Sequence, residues 1–513
     1  MNQKTGVETT EKATGRASFC PQQQRRYVLF VAILASALGF IDGSIVSIAI
    51  PALRADLDAS LSDAQWIANS YMLMLASLIL AGGAMGDKFG LRRVFAWGIG
   101  IFVAASAACA IAPDAGFLIA ARFVQGAGAA LMTPASLAII AKAYPAGERG
   151  RAIGIWASAS AITTAIGPVL GGLLLDSGLP EAWRMIFAIN LPLGGLALFV
   201  LLRLVPSDPP DADRPVDYPG AVLATLSLGL LAYALTMLGE GRAEEPAMGP
   251  VWIAAVAGLV ALAGFMWRQS VAAHPMMPLT LFASRAFSVA NSVTFLVYFA
   301  LSAVLFFLPM TLISGWGVSQ SAASLVFIPI TLAVAAMSGW SGRMADTHGA
   351  RPLLVGGAAI VSVAYLGLAV GFPLQSFALH VVPMMVFMSI GMGLLVSPLS
   401  TLVMNAVAES ETGLASGVNN AIARAAGLVA VAAMGALAAA VYSAGYSAAD
   451  LAGGASVWTG FGEAPAESLS AADDMIRRQA TNAAFMAVAY VTAALAGIAA
   501  VIALVFLPCE TSD

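Results

Sequence analysis

The chain has 513 residues, 60% of them hydrophobic and only 10% charged, with a formal net charge of −4 and a mean hydropathy of +0.87. Soluble domains carry about 25% charged residues, so two or three of them at this length would lack the ionised groups to cover their surfaces. Disordered, fibrous and disulfide-rich classes are excluded too; the three cysteines, Cys20, Cys109 and Cys509, stand far apart and read as inert thiols. What remains is an all-α polytopic membrane protein.

Residues 1–24 are polar, with Lys4, Lys12 and Arg16, and read as a disordered cytosolic tail. Fourteen apolar runs follow, each near the length of about 20 residues that crosses hydrocarbon. They fall at 28–49, 66–85, 94–112, 116–141, 150–175, 183–205, 219–239, 250–269, 286–313, 320–342, 352–371, 377–404, 413–441 and 482–507. The first continues to Ile50 without a convincing cleavage site, so it reads as a retained helix and not a signal peptide. An even count returns both termini to one side. Seventeen Lys and Arg lie on that side, among them Lys88, Arg92, Arg93, Lys142, Arg149, Arg151, Arg343 and Arg351. Five lie opposite (Arg54, Arg184, Arg242, Arg477, Arg478), and Arg122 and Arg424 fall inside spans. The bias predicts a multi-pass protein of the cytoplasmic (inner) membrane with both termini in the cytosol.

The sequence also repeats itself. GAMGDKFGLRR (83–93) follows span two and GRMADTHGARP (342–352) follows span ten, which sets Asp87 against Asp346 at an offset of 259. The first spans of the two sets begin 258 residues apart (28 and 286), as do the third (94 and 352). This predicts two six-helix bundles related by pseudo-symmetry, over 25–205 and 286–507. Six helices with short loops need about 190–200 residues, so spans seven and eight (219–270) read as a two-helix insert between the halves. Residues 442–481, rich in Ala, Gly, Ser and acids, read as an outer loop of the second bundle, and 508–513 as a cytosolic tail. Secondary transporters are built from such paired halves, with the substrate path at their interface.

Asp42 is the only acid well inside a span. A carboxyl group in hydrocarbon is costly and functional by default, and its charge state follows its surroundings, so Asp42 reads as a reversible proton carrier; the structural alternative is a buried, hydrogen-bonded acid. Arg122 is its companion by depth. Counted from the outer helix ends at 1.5 Å per residue, the two lie roughly 9–12 Å deep; the alternative is an Arg that snorkels outward.

Along span five, positions 154, 158, 161, 165, 168 and 172 hold Gly, Ser, Ala, Ala, Pro and Gly, with further glycines at 167 and 171. Such a face lets another helix approach closely, and Pro168 bends the helix. In the loop motif, Gly83 and Gly90 allow a tight connection, while Asp87 and Arg92 can pair with helix ends or charges. Gly342, Asp346, Gly349 and Arg351 repeat the pattern. Arg424 lies about eleven residues into span thirteen, either deep or near the cytosolic surface if the helix begins later. Asn69, Tyr71, Gln125, Trp156, Asn291 and Tyr298 are substrate-path candidates, each equally readable as packing.

Several stretches together resemble the major facilitator superfamily, and most closely its fourteen-span drug:proton antiporter branch. They are the loop motif, IDGSIVSIAIPAL (41–53), ARFVQGAGAA (121–130), GIWASASAITTAIGPVLGGLL (154–174) and WRMIFAINLP (183–192), and the likeness covers about residues 25–510. It departs from the family pattern at Ser44, Ser47 and Thr163, where Thr, Asn and Gly are more usual. The resemblance implies that Asp42 and Arg122 couple transport to protons. It makes the loop motif a latch that breaks as the halves rock. It makes Gly154, Gly167, Pro168, Gly171 and Gly172 part of an antiporter signature that marks exporters. The span-six stretch otherwise reads as structural.

Enzyme and channel readings fare badly. Lys4, Lys12, Lys88 and Lys142 all lack a preceding Gly, so no phosphate loop is present. His274, His348 and His380 make no metal motif, and charged rings are absent. The expectation is a proton-driven antiporter that exports lipophilic, monocationic or neutral small molecules (drug or antibiotic efflux). It has no catalytic or metal-binding residues and no cofactor beyond the proton as coupling ion. Its partners are the substrate and the lipid bilayer, not nucleic acid, and it works as a monomer. The alternative is a proton-coupled importer (symporter) of a small metabolite on the same fold.

Overall fold

The structure is a computed structural model, which describes residues 19–239, 248–447, 460–462 and 470–508. Among these, fourteen helices are long and apolar enough to span a membrane. They are α1 (Gln22–Leu57), α2 (Leu61–Phe89), α3 (Leu91–Ala110), α4 (Ala115–Ala143), α5 (Gly147–Leu175), α6 (Trp183–Leu204), α7 (Tyr218–Leu238), α8 (Met248–Val271), α9 (Arg285–Trp316), α10 (Gln320–His348), α11 (Ala350–Leu374), α12 (Phe377–Asn405), α13 (Thr412–Gly445) and α14 (Asp473–Phe506). The face at which α1 begins is called the near face, and the opposite one the far face.

Several helices outrun their hydropathy signal. The first helix begins at Gln22, inside the stretch read as a tail, while residues 1–18 lie outside the described residues. On the far side, the helices on either side of the 442–481 loop extend to Ser447 and back to Ala471. That loop is therefore shorter than the sequence suggests. Backbone hydrogen bonding continues through the interfacial layer, where apolarity is no longer required.

The duplication is visible in which helices touch. In the first half α2 and α3 pack on α4, and α1 packs on α5 and α6. In the second half α10 and α11 pack on α12, and α9 packs on α13 and α14. Two helix-bending prolines, Pro51 in α1 and Pro309 in α9, stand 258 residues apart. The halves meet reciprocally, α2 against α13 and α5 against α10, as a two-fold relation requires. Of the insert, α7 lies over the α2–α13 seam, where Leu73, Ala232, Leu428 and Ala432 form one apolar cluster, and α8 packs on α7.

At the near face Asp217 caps α7 at the Gly220 N–H and accepts from Arg268 Nε and Gln269 Nε2, all at 3.1 Å. Partial burial pushes its carboxyl up, but these hydrogen bonds outweigh it and hold the group below the ordinary aspartate value. The two insert helices are thereby pinned together.

The α5–α10 seam is held at the far face. Asp176, at the end of α5, accepts from the backbone N–H groups of Gln320 (3.2 Å) and Ser321 (2.9 Å), the exposed N-terminus of α10. Toward the near face Gly154 of α5 and Gly339 of α10 are exposed, and a Cβ at either would meet nothing within 4 Å. Slight burial raises the Asp176 carboxyl, but hydrogen bonds from Ser321, Gln320 and Ser319 outweigh it and hold it below 3.8. A depressed carboxyl contributes stability that is fully present above 3.8 and lost as pH falls through the depressed value. Asp176→Ala is expected to weaken far-face closure at pH 7 by about 1 kcal/mol, a solvent-screened cap. The loss is to be read as increased cysteine labelling at the far end of the seam. The variant should also lose the wild type's further opening as pH falls through the depressed carboxyl value.

Candidate functional site

Asp42 and Arg122 meet. Arg122 Nη1 donates to Asp42 Oδ2 at 2.5 Å, in an ion pair whose members, Asp42 and Arg122, are 0% and 1% exposed. Three further helices, α2, α3 and α6, complete the surroundings of this α1–α4 contact. Arg122 Nε donates to the carbonyl of Ile67 on α2 (3.0 Å), and its guanidinium lies over the rings of Tyr71 (4.4 Å) and Phe187 (5.9 Å). Gln125, one turn along α4, accepts from Arg122 Nη1 (2.7 Å) and donates to Asp42 Oδ1 (2.8 Å) and Ser106 Oγ (2.8 Å). Asn190 of α6 donates to Asp42 Oδ1 (3.4 Å) and Ser106 Oγ (3.2 Å). Cys109 Sγ donates to Gln125 Oε1 at 3.7 Å.

Close helix packing makes this cluster possible. Gly126 lies against the backbone of Tyr71, and Gly128 against that of Phe102, at distances where a Cβ would stand 2.5 and 2.7 Å from main-chain atoms. Both carboxylate oxygens are occupied, so a buried charge that is costly alone is matched by a cation and oriented amides. The repeat position of Asp42 at the offset of 258 is Ala300, fully buried and unable to titrate. The charge cluster therefore belongs to one half only.

Two members escaped the sequence reading. Asn190 lies in the stretch WRMIFAINLP, taken as structural, and Ser106 in an unremarked run of α3. A polar amide in an otherwise apolar span was the available signal for Asn190; Ser106 offered none, because serine is common at helix contacts in membranes.

The remaining candidates scatter. Asn69 is fully buried, and neither end of its side-chain amide has a hydrogen-bond partner among the described residues. Trp156 Nε1 ties α5 to α1 through Ser36 Oγ (2.8 Å). Asn291 accepts from Asn419 Nδ2 (3.1 Å), joining α9 to α13. Tyr298 is half-buried and lies within electrostatic reach of Arg424. Helix α13 begins at Thr412, which places Arg424 twelve residues in and resolves its two readings in favour of depth.

The span-five glycines divide by depth. A Cβ at Gly167 would stand 2.7 Å from Ser44 Oγ and 3.1 Å from the Ile41 Cα of α1. At Gly171 it would collide with Ile45 Cγ1, and at Gly172 it would stand 2.7 Å from both the Gln320 carbonyl oxygen and the Ser321 Cα of α10. These two and Pro168 are buried, with Gly172 alone of the three glycines against α10, whereas Gly154 is exposed. The side chains at 161 and 165 lie outside the described residues.

The two loop motifs are built alike. Gly90 (φ +92°) and Gly349 (φ +78°) make the tight turns into α3 and α11, a conformation that disfavours a Cβ. Arg92 Nη2 donates to the Leu202 carbonyl and Arg351 Nη2 to that of Leu504, each at 2.6 Å, so each ties its turn to the end of its half's sixth helix. Asp87 pairs with Lys142 (3.5 Å) and Arg214 (3.8 Å). Asp346 is exposed and forms no ion pair among the described residues, and Gly342 faces Ser397 of α12. Asp208 of the linker caps α3 by accepting from the N–H groups of Leu91 and Arg92, both at 2.9 Å. Asp208→Ala is expected to cost about 1–2 kcal/mol of helix-cap stability, read as a lower melting temperature with the direction of transport unchanged.

Comparison with known proteins agrees with this arrangement. The family model described as Major Facilitator Superfamily matches residues 32–431 and 290–513. The chain is 33% identical over 402 residues to the multidrug resistance protein Stp of Mycobacterium tuberculosis (strain CDC 1551 / Oshkosh), a match that covers 76% of this chain and 72% of that one. It is 32% identical over 414 residues to the methylenomycin A resistance protein of Bacillus subtilis (strain 168), covering 80% and 86%. In fold it is similar to a bacterial homologue of the human lysosomal transporter Spinster in an inward-facing, unoccupied conformation, with a TM-score of 0.67 at 17% identity over 96% of this chain and 100% of that one. With a duplicated six-helix architecture, the reciprocal seam and these relatives in hand, the chain belongs to the major facilitator superfamily.

Proposed function

We propose that this protein is a proton-coupled antiporter that exports lipophilic small molecules, drugs or antibiotics among them, across the cytoplasmic membrane. The near face is the cytosol, as the excess of Lys and Arg there requires. The units that rock are the bundles at 25–205 and 286–507, with 219–270 riding on the α2–α13 seam. The protein acts as a monomer, needs no cofactor beyond the proton, and performs no chemistry on its substrate.

The observation that carries this reading is the Asp42–Arg122 pair, wholly enclosed in one half of a duplicated bundle whose seam is held at the far face. In this conformation substrate enters from the cytosol. When the far face opens, Asp42 takes a proton from outside and later delivers it inward. The membrane potential contributes about 2.3 kcal/mol per charge per 100 mV, in addition to the pH gradient. The expectation of monocationic or neutral cargo treats the deep carboxylate as the counter-charge. With both its oxygens held by Arg122, Gln125 and Asn190, Asp42 offers no free face to a cation, and this geometry favours the neutral end of that range.

A susceptibility panel in an efflux-deficient host tests the reading. Wild type should raise resistance to a subset of lipophilic compounds at least fourfold, and Asp42→Asn should not. In proteoliposomes with an imposed pH gradient, an exporter moves such a compound against the proton flow. Movement with the flow would favour the symporter.

A further inference from the structure

Among the described residues, Arg424 is the one deep cation that the Asp42–Arg122 cluster does not use. It stands twelve residues from the near-face end of α13, roughly 18 Å along the helix. There a charged side chain costs about 2.5–3.5 kcal/mol on insertion scales unless it is compensated. No carboxylate compensates it: Arg424 makes no ion pair among the described residues, and its enclosed Nε has no hydrogen-bond partner among them. The titratable groups that act on it electrostatically are two hydroxyls, those of Tyr71 on α2 and Tyr298 on α9.

The position is a junction between halves. Around Arg424 on α13, Gly417 lies against Leu80 of α2 and Gly427 against Ser302 of α9, so helices of both halves converge on it. The side chain is half-buried. Asn420, one turn toward the near face, is exposed, whereas Leu428, one turn toward the far face, is fully enclosed. The near-face side of Arg424 is therefore the more accessible one. Tyr71 connects Arg424 to the proton cluster, because its ring lies under Arg122 while the same residue lies within electrostatic reach of Arg424.

We propose that Arg424 binds an acidic group of the exported molecule, so that the cargo class includes lipophilic carboxylic acids. This rests on the export reading above. A half-buried planar guanidinium without a counter-ion among the described residues, within electrostatic reach of two tyrosines, matches a carboxylate at the end of an apolar body. Pairing leaves the loaded site without net charge. Substrate bound there also touches Tyr71, and through it the packing of Arg122.

The probes are radiolabelled 4-phenylbutyrate and its uncharged amide, with binding measured by scintillation proximity on the purified full-length protein. Wild type should bind the acid at least tenfold more tightly than the amide. Arg424→Gln should abolish that preference by weakening the acid alone, and Arg424→Lys should retain part of it, because it keeps the charge without the planar fork. Equal affinity of the wild type for both probes, binding of neither, or a preference that survives Arg424→Gln overturns the proposal. The wild-type comparison needs no variant to fold. Gradient-driven transport in the same preparation separates the two readings. Uphill movement of the acid that does not depend on Arg424 leaves export standing without this site. An Arg424-dependent preference with no gradient-driven movement leaves the site standing without export.

Discussion

Asp42→Asn is expected to reduce uphill, gradient-driven export to background, a loss of at least about 100-fold, while equilibrium binding of substrate changes by less than about threefold. The asymmetry follows from where Asp42 lies. It is fully enclosed by residues of its own half, so in the proposed cycle its part is to carry the proton, with little direct contact with cargo. An asparagine in its place would keep an oxygen for the amides of Gln125 and Asn190 but could not titrate. It would also strand Arg122, and removing one member of a buried pair costs about 3–5 kcal/mol. The single variant should therefore melt at a lower temperature. The double variant Asp42→Asn, Arg122→Gln should recover much of that stability and none of the coupling. Stability restored together with transport would show that Asp42 is structural.

Gly172→Val is expected to reduce transport at least about tenfold by a different route, preventing far-face closure. Even the first added carbon would stand 2.7 Å from main-chain atoms of Gln320 and Ser321. Backbone cannot step aside as a flexible side chain can, and overpacking of this kind costs about 1–3 kcal/mol. A shift of that size in a two-state equilibrium changes populations roughly 5–150-fold. The variant should hold the far face open, so that cysteines introduced along the outer ends of α5 and α10 label faster from outside. Gly154→Val, at an exposed position with nothing within 4 Å, should leave labelling close to wild type. Equal labelling in all three proteins would contradict the role given to the seam.

What the sequence could tell about this molecule followed what a helix fixes. The rise per residue is constant, so equal depth of Asp42 and Arg122 could be computed from their distance to the helix ends, and they lie 2.5 Å apart. The repeat was legible because turns with positive φ at Gly90 and Gly349 demand glycine. Helix ends were poorly legible at Gln22 and around 447–471, since hydropathy reports the hydrocarbon layer and not where hydrogen bonding stops. Partners across helices were not legible at all. Nothing in the spacing of Gly167, Gly171 and Gly172 says that the first two admit α1 and the third admits α10. Nor does an isolated Asn190 announce which carboxylate it faces, because that contact joins residues 148 positions apart.

The most direct test of the account is proton release on substrate binding. Purified protein in weakly buffered solution at pH 7 is mixed with the compound to which the wild type gives the greatest resistance, and a pH dye follows the protons. The account predicts that the wild type releases up to one proton per substrate bound and that Asp42→Asn, binding the same compound, releases none. Equal release from the two proteins would contradict it.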